Sequence, residues 1–184
     1  VITWLKDDLK LISSAAETEE LAKAANPKDH SYLVPAFTGL GAPYWDSEAE
    51  GILCGMTRTT GRNEIVRDAL QCIVYQITDV LRAMEEDAGF SIEELRTDGG
   101  PTRNGWLMQF QSDMIGVRVG VSEVEELSGM GAAYMAGISA GLYDRERIFE
   151  GRKRNTYRNK MPAEEAGRFY EGWKKAVAKV LKTP

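Results

Sequence analysis

The segment LRTDGGPTRN, residues 95–104, decides the fold class of this 184-residue chain. Residues 95–97 form a short predicted strand, residues 98–101 form a turn, and a helix is predicted to begin near Arg103. Gly99 and Gly100 have no Cβ, so a ligand can approach the backbone closely there. The helix that follows would point free N–H groups and a partial positive charge at that ligand, which suits a phosphate.

Two interpretations of this turn have about equal weight on physical grounds. In the first, Gly99 and Gly100 allow a nucleotide phosphate or ribose to approach, and the Asn104 amide contacts ribose or adenine. In the second, a tight strand-to-helix turn needs glycine only because glycine tolerates a positive φ. The residues alone do not decide between the two interpretations.

Two other nucleotide-binding motifs are absent from the sequence. No G-x-x-x-x-G-K-[ST] occurs, which excludes a P-loop. The segments that start at Gly39 and Gly129 begin like G-x-G-x-x-G, but Tyr44 and Tyr134 stand where the last glycine belongs. Neither segment supports a dinucleotide-binding turn of the Rossmann type.

Strands and helices alternate along the chain, which predicts an α/β layered domain. The periodicity predicts helices over residues 4–12, 18–25, 63–87, 128–140 and 163–181, besides the one after the glycine turn. Short strands are predicted over 32–34, 51–56, 95–97 and 118–121, and residues 152–160 are predicted to be a polar connector. Thr18 and Asn63 are the expected N-caps, and Gly89 is the expected end of the long helix.

Composition excludes several classes of function. With 23 basic and 28 acidic side chains the net charge is −5, which gives no general attraction to nucleic acid or to anionic membranes. No stretch of about 20 apolar residues is present, so no membrane span is expected. Cys54 and Cys72 are too few for a disulfide scaffold and suit a reducing cytosol. Because the chain begins at Val1 without methionine, we expect a piece of a longer protein.

Three further features have favoured structural interpretations. The helix of small residues from Gly129 to Gly137 is expected to pack tightly against another backbone, with a hinge between domains as the alternative. Residues 38–46 are expected to form an ordered loop in which Asp46 is a turn residue rather than a catalytic base. His30 is the only histidine and has no partners for a zinc site or a triad.

Three blocks, VPAFTGLGAPYWD (34–46), DGGPTRNGWLMQFQSDMIG (98–116) and GMGAAYMAG (129–137), resemble the C-terminal domain of the FGGY carbohydrate kinase family. The resemblance covers essentially the whole chain, and within the family it is strongest to glycerol kinases. It implies the actin/hexokinase/Hsp70-like (ribonuclease H-like) ATPase fold. On this view residues 1–184 are a single C-terminal nucleotide-binding domain, and the family's N-terminal domain and the first strands of this fold lie outside the chain.

The resemblance also implies the ligand contacts. Gly100 and Asn104 match the family's nucleotide contacts, Gly99 supports the turn, and Thr3 matches a position that contacts nucleotide through a longer polar side chain. The implied ligands are ATP or ADP with Mg²⁺, which is bound through the nucleotide and through residues outside this chain. No residue here matches the family's catalytic Asp, and none is expected to bind the metal directly.

The function implied is that of a part of an ATP-dependent glycerol kinase, which converts glycerol and ATP to sn-glycerol 3-phosphate and ADP. The isolated chain is expected to be inactive, and the whole protein is expected to be a cytoplasmic homo-oligomer. Another FGGY kinase, of the xylulose or gluconate type, is the first alternative. A non-catalytic nucleotide-binding or regulatory module is the second.

Asp68 departs from the family pattern, which normally has Ala or Ser at this position. An acidic group at the edge of a buried helix needs a partner, because burying an unpaired charge costs free energy. We expect that partner to be Arg67 or Arg58.

Overall fold

The computed structural model describes residues 1–123, 127–148 and 154–182. Its helices are α1 (Ile2–Asp7), α2 (Glu17–Ala24), α3 (Arg62–Ala88), α4 (Gly105–Ile115), α5 (Leu127–Ser139) and α6 (Ala163–Val177). Its strands are β1 (Tyr32–Val34), β2 (Ile52–Cys54), β3 (Glu94–Thr97), β4 (Arg118–Ser122) and β5 (Arg154–Tyr157). The predicted alternation of strands and helices is confirmed.

The strands form two sheets. β1 and β2 pair antiparallel, with Leu33 opposite Leu53. In the other sheet β4 lies between β3, which runs parallel to it, and β5, which runs antiparallel. Because β3 and β4 are parallel, the glycine turn and α4 form the crossover that joins them. The turn therefore lies at the carboxyl end of β3.

The long helix α3 is the centre of the packing, in contact with α2, α4 and β1. It begins after Gly61, whose N–H donates to Glu64 Oε2 at 2.8 Å, and ends at Gly89, which has the positive φ of 72° that favours glycine. The predicted end at Gly89 is confirmed. Both predicted N-caps are wrong, because Asn63 and Thr18 lie inside the first turns of α3 and α2.

An aromatic cluster joins α3, α4 and α6. The ring of Tyr75 stacks on Trp173 with centroids 5.2 Å apart and meets the edge of Phe110 at 5.8 Å. Trp173 is fully buried. Aromatic side chains bury large apolar areas, so this cluster fixes α6 against the rest of the domain.

Asp68 is buried near the start of α3 and lies in a polar cluster. Arg67 Nη2 is 3.0 Å from Asp68 Oδ1 and 3.1 Å from Asp29 Oδ1. The Ser31 hydroxyl lies within hydrogen-bond distance of both carboxylates and can donate its one proton to either of them. The predicted pairing of Asp68 with Arg67 is confirmed. Burial raises the pKa of Asp68 to about 6. Burial would also raise the pKa of Asp29, but hydrogen bonds from Ser31 and Thr60 and the charge of Arg67 lower it to about 2.

Asp79, three turns further along α3, is buried among neutral donors. Its carboxylate accepts hydrogen bonds from the Tyr44 hydroxyl at 3.0 Å, the Tyr170 hydroxyl at 2.5 Å and the Trp173 indole N–H at 2.7 Å. These donors come from the 38–46 loop and from α6. The Asp79 cluster therefore ties the loop to both helices.

The ordered loop over residues 38–46 is confirmed, and Asp46 is a turn residue as expected. Backbone bonds in both directions join Leu40 and Asp46, at 2.7 and 3.0 Å. The Asp46 carboxylate accepts from the N–H groups of Glu48 at 2.9 Å and Lys182 at 2.8 Å. Both of these contacts are with backbone amides, which gives Asp46 a structural role.

The predicted connector is wrong in part, and the tight packing expected for the helix of small residues is seen at one position. Residues 154–157, within the predicted connector, form β5, because their backbone pairs with the free edge of β4 although the side chains do not alternate in polarity; the remainder of the connector up to residue 153 lies outside the described residues. In α5 most of the small residues are exposed, and a Cβ at Gly131 would meet nothing within 4 Å. Only around Gly137, which packs against the Tyr143 ring, is the helix closely packed.

Among the described residues, no helix is both long and apolar enough to cross a membrane.

Candidate functional site

The glycine turn after β3 is open on the side where two side chains would project. Gly99 has φ 88° and ψ 173°, a conformation that only glycine adopts readily. Gly100 begins a 3-10 helix, Gly100–Arg103, without a positive φ, and a Cβ placed on it would meet nothing within 4 Å. Backbone conformation therefore explains the first glycine, whereas neither conformation nor packing explains the second. Close approach of a ligand would explain it.

Hydrogen bonds within the turn hold its shape. The Thr102 side chain donates to the Gly99 carbonyl at 2.7 Å, and the Thr102 N–H donates to the same oxygen at 3.1 Å. The Asn104 N–H donates to the Pro101 carbonyl at 3.1 Å. The open face is therefore preorganised, which lowers the entropy cost of binding a ligand.

Asn104 is the N-cap of α4. Its Oδ1 accepts from the Leu107 N–H at 2.9 Å, and its Nδ2 donates to Thr18 Oγ1 at 3.1 Å. A side-chain amide has two N–H bonds and two acceptor lone pairs, so one of each is left after these contacts. Asn104 can therefore cap the helix and contact a ligand at the same time.

One of the N–H groups expected to be free at the start of α4 already has a partner within the chain. The Gly105 N–H donates to Glu19 Oε2 at 3.0 Å. Hydrogen bonds from Lys23 and from the Gly105 amide lower the pKa of Glu19. The carboxylate of α2 thus takes the position of an anion at this helix end.

The structure brings Gly99, Gly100 and Asn104 into one turn and places Thr3 on a different helix. Thr3 is exposed on α1. That helix is anchored by Leu5, which is fully buried, and by Trp4, whose ring centroid lies 5.2 Å from that of Phe37. Thr3 is thus free to face a ligand, but it is not part of the turn.

A cleft that sequence reasoning missed adjoins the turn. It has a volume of about 100 Å³ and lies at the carboxyl ends of β3 and β4, lined by Asp98 and Ser122 among others, with Arg96 and Arg154 beside them. Ligands of open α/β sheets bind at this end of the strands. Arg154 belongs to β5, the strand that was not predicted. Its positive charge was therefore the one property in the sequence that could have indicated a role in this cleft. No group of three or more His, Cys, Asp or Glu suited to a metal occurs in the described parts of the chain.

Solved structures of carbohydrate kinases share this fold. Glycerol kinase from Plasmodium falciparum, solved with ADP, superposes with a TM-score of 0.89 at 32% identity, covering 100% of this chain and 37% of that one. A xylulose kinase from Brucella ovis gives a TM-score of 0.79 at 20% identity over 97% of this chain and 36% of its own. The chain therefore has the actin/hexokinase-like ATPase fold of these kinases, as the sequence predicted.

Sequence relatives identify the family. The description "FGGY family of carbohydrate kinases, C-terminal domain" matches residues 1–140. Glycerol kinases from Clostridium botulinum and Petrotoga mobilis are 44% and 46% identical over 98% and 96% of this chain. The chain belongs to the FGGY family of carbohydrate kinases, which confirms the resemblance. It spans 37% and 36% of the length of these two relatives.

Proposed function

We propose that this chain is the nucleotide-binding C-terminal part of an ATP-dependent glycerol kinase. The complete enzyme would transfer the γ-phosphoryl group of ATP to glycerol and release sn-glycerol 3-phosphate and ADP. The observation that carries the proposal is the ordered Gly99–Gly100 turn at the carboxyl end of β3, which has open space beside Gly100. The TM-score of 0.89 to a glycerol kinase solved with ADP supports the same ligand.

Each candidate residue has a distinct role in this proposal. The backbone at Gly99 and Gly100 lets a nucleotide phosphate or ribose come within contact distance. Asn104 uses its remaining N–H and lone pair on the ribose or adenine. Thr3 adds a contact from α1. Together these groups bind and orient the nucleotide.

Residues outside this chain would supply the remaining chemistry. Mg²⁺, when bound, neutralises charge on the phosphates, and it would be held by the nucleotide and by groups beyond these 184 residues. The base that accepts the glycerol proton would also lie outside. Because phosphoryl transfer depends on positioning all of these groups together, the chain alone would bind nucleotide without turnover.

Glycerol is favoured over a pentulose or gluconate as the phosphoryl acceptor. In the structural comparison the glycerol kinase is 32% identical to this chain, against 20% for the xylulose kinase and 18% for a gluconate kinase from Lactobacillus acidophilus. We also infer that residues 1–184 form a single domain of a cytoplasmic homo-oligomer. Light scattering of the complete protein would report the oligomeric state.

Substrate choice can be tested with the complete protein. The coding sequence upstream of Val1 would be expressed together with this chain, and ADP release would be measured with glycerol, D-xylulose and gluconate. The expected result is the highest kcat/KM with glycerol, and no turnover by the 184-residue chain alone. A preference for D-xylulose or gluconate would reject the substrate. An unrelated upstream domain and no turnover would support a non-catalytic module.

A further inference from the structure

A second cavity, of about 320 Å³, lies between α2, α4 and α6. Its floor is formed by α3, and Gly99, Gly100 and Asn104 do not line it. Small-molecule sites have volumes of about 300–1,000 Å³, so this cavity has room for one small ring. Nothing in the proposed nucleotide role uses it.

Gln71 is the first sign that the cavity holds a ligand. Its side chain lines the cavity and is only 5% exposed. Within the described part of the chain, no group accepts from or donates to its amide. By contrast, Gln109 on the same wall donates to Asp113 at 3.0 Å and to the Arg158 carbonyl at 2.8 Å. The fully buried unpaired side-chain atoms of the described residues belong to Tyr75 and Gln111, so the Gln71 amide is reached from the open cavity and has bonding capacity that faces it.

An aromatic wall is the second sign. The rings of Trp106 and Phe110 stack at 5.2 Å and are almost parallel, with 10° between their planes. Phe169 meets Phe110 edge-on at 6.0 Å. All three side chains line the cavity. Phe110 is buried, so the apolar surface open to a ligand ring is that of the half-buried Trp106 and Phe169.

The charges on the lining disfavour an anionic ligand. Lys23 is already paired with Glu19 at 2.9 Å, and Arg67 is paired with Asp29 and Asp68. Neither cation is left for an anionic ligand. Asp113 and Glu165 also line the cavity, so it offers carboxylate acceptors beside the Gln71 amide.

We propose that this cavity binds one neutral polyhydroxylated ring, a monosaccharide or a cyclic polyol. One face of the ring lies on Trp106, which is stacked on Phe110, and its hydroxyls bond to Gln71. A hydroxyl both donates and accepts, so it satisfies the amide and also donates to the carboxylates of Asp113 and Glu165. The site would bind its ligand independently of the nucleotide turn.

The test is an NMR titration of the 184-residue chain with D-glucose and with myo-inositol. The indole N–H signal of Trp106 is identified by its loss in Trp106→Phe. Both this signal and the Gln71 side-chain signal are expected to shift at millimolar ligand, while the Gly99 and Gly100 signals stay in place. Gln71→Leu should weaken binding about tenfold without lowering stability, because Gln71 has no hydrogen bond in the fold to lose.

Gln76→Leu is the matched control. Gln76 is on the same helix, donates to the Cys72 carbonyl at 3.1 Å and does not line the cavity, so this variant should bind as the wild type does. Three results would overturn the proposal: no shift with either sugar, equal affinity in the wild type and Gln71→Leu, or tighter binding of glucose 6-phosphate or glucosamine than of glucose.

Discussion

The regions around Asp79 and Gly100 differ in whether the chain itself supplies the contacts beside the residue. Around Asp79 the chain itself supplies every donor: Tyr44, Tyr170 and Trp173 all reach the carboxylate. Around Gly100 the chain supplies nothing within 4 Å of a Cβ position, although hydrogen bonds hold the turn in shape. A buried group with all its partners contributes to folding, whereas an ordered turn with empty space beside it is suited to binding.

The N-terminus of α4 shows why this distinction matters. A helix end is suited to an anion, but here the Glu19 carboxylate already accepts from the Gly105 N–H. This part of the helix end therefore has its partner within the chain, as Asp79 does. The turn before it has open space beside it.

The largest expected effect on stability comes from removing the Asp79 carboxylate. Asp79→Ala leaves two tyrosine hydroxyls and the Trp173 indole N–H without their acceptor, and unpaired buried donors cost about 1–3 kcal/mol each. We expect the free energy of unfolding to fall by about 4 kcal/mol, measured by urea denaturation.

Asp79→Asn is the control for this prediction. It keeps a carbonyl acceptor at the same place and should lose less stability than Asp79→Ala. If Asp79→Ala were as stable as the wild type, the three hydrogen bonds would not hold the loop and α6 to α3.

A smaller effect, with a defined pH dependence, is expected at the other buried acid of α3. The pKa of Asp68 is raised to about 6, above its usual value near 4, so protonation in this range favours the folded state. Its stabilising contribution is complete below pH ~4 and is lost as the pH rises through about 6. Asp68→Asn cannot ionise and keeps groups that can bond to Arg67 and Ser31.

Relative to Asp68→Asn, the wild type should therefore lose about 2 kcal/mol of unfolding free energy between pH 4 and pH 7. Denaturant melts of both proteins at several pH values measure this difference. The lowered pKa of Asp29 acts below pH ~4, where stability falls as the pH decreases, and it does so in both proteins. Parallel stability curves between pH 4 and pH 7 would contradict the assignment to Asp68.

The sequence predicted the parts of the molecule that depend on neighbouring residues. Local patterns predicted β3, the glycine turn after it and the end of α3 at Gly89. They also predicted the pairing of Arg67 with Asp68. β5 could not be predicted, because Arg154–Tyr157 has no alternation and becomes a strand only where β4 offers an edge.

Contacts between distant parts of the chain were also beyond prediction. Glu19 and Gly105 are 86 residues apart, and the donors of Asp79 on α6 follow it by 91 and 94 residues. Gly99, Gly100 and Asn104 could be predicted because they lie next to one another in a strand–turn–helix pattern of the sequence. The occupation of the α4 N-terminus was missed because nothing near Gly105 in the sequence indicates Glu19.

A substitution in the glycine turn should have the smallest effect on stability, and it gives the most direct test of nucleotide binding. In Gly100→Ala the added methyl group meets nothing within 4 Å, so the stability should change by less than about 1 kcal/mol. The same methyl group stands where the nucleotide would approach the backbone. Gly167→Ala, on α6 and also with open space around it, is the matched control.

The decisive measurement is isothermal titration of ADP into the wild type, Gly100→Ala and Gly167→Ala. We expect the wild type and Gly167→Ala to bind ADP alike. Gly100→Ala should bind at least about tenfold more weakly, with an unchanged melting temperature. Equal ADP affinity in all three proteins, or no binding by the wild type, would contradict the claim that the Gly99–Gly100 turn is the nucleotide site of this chain.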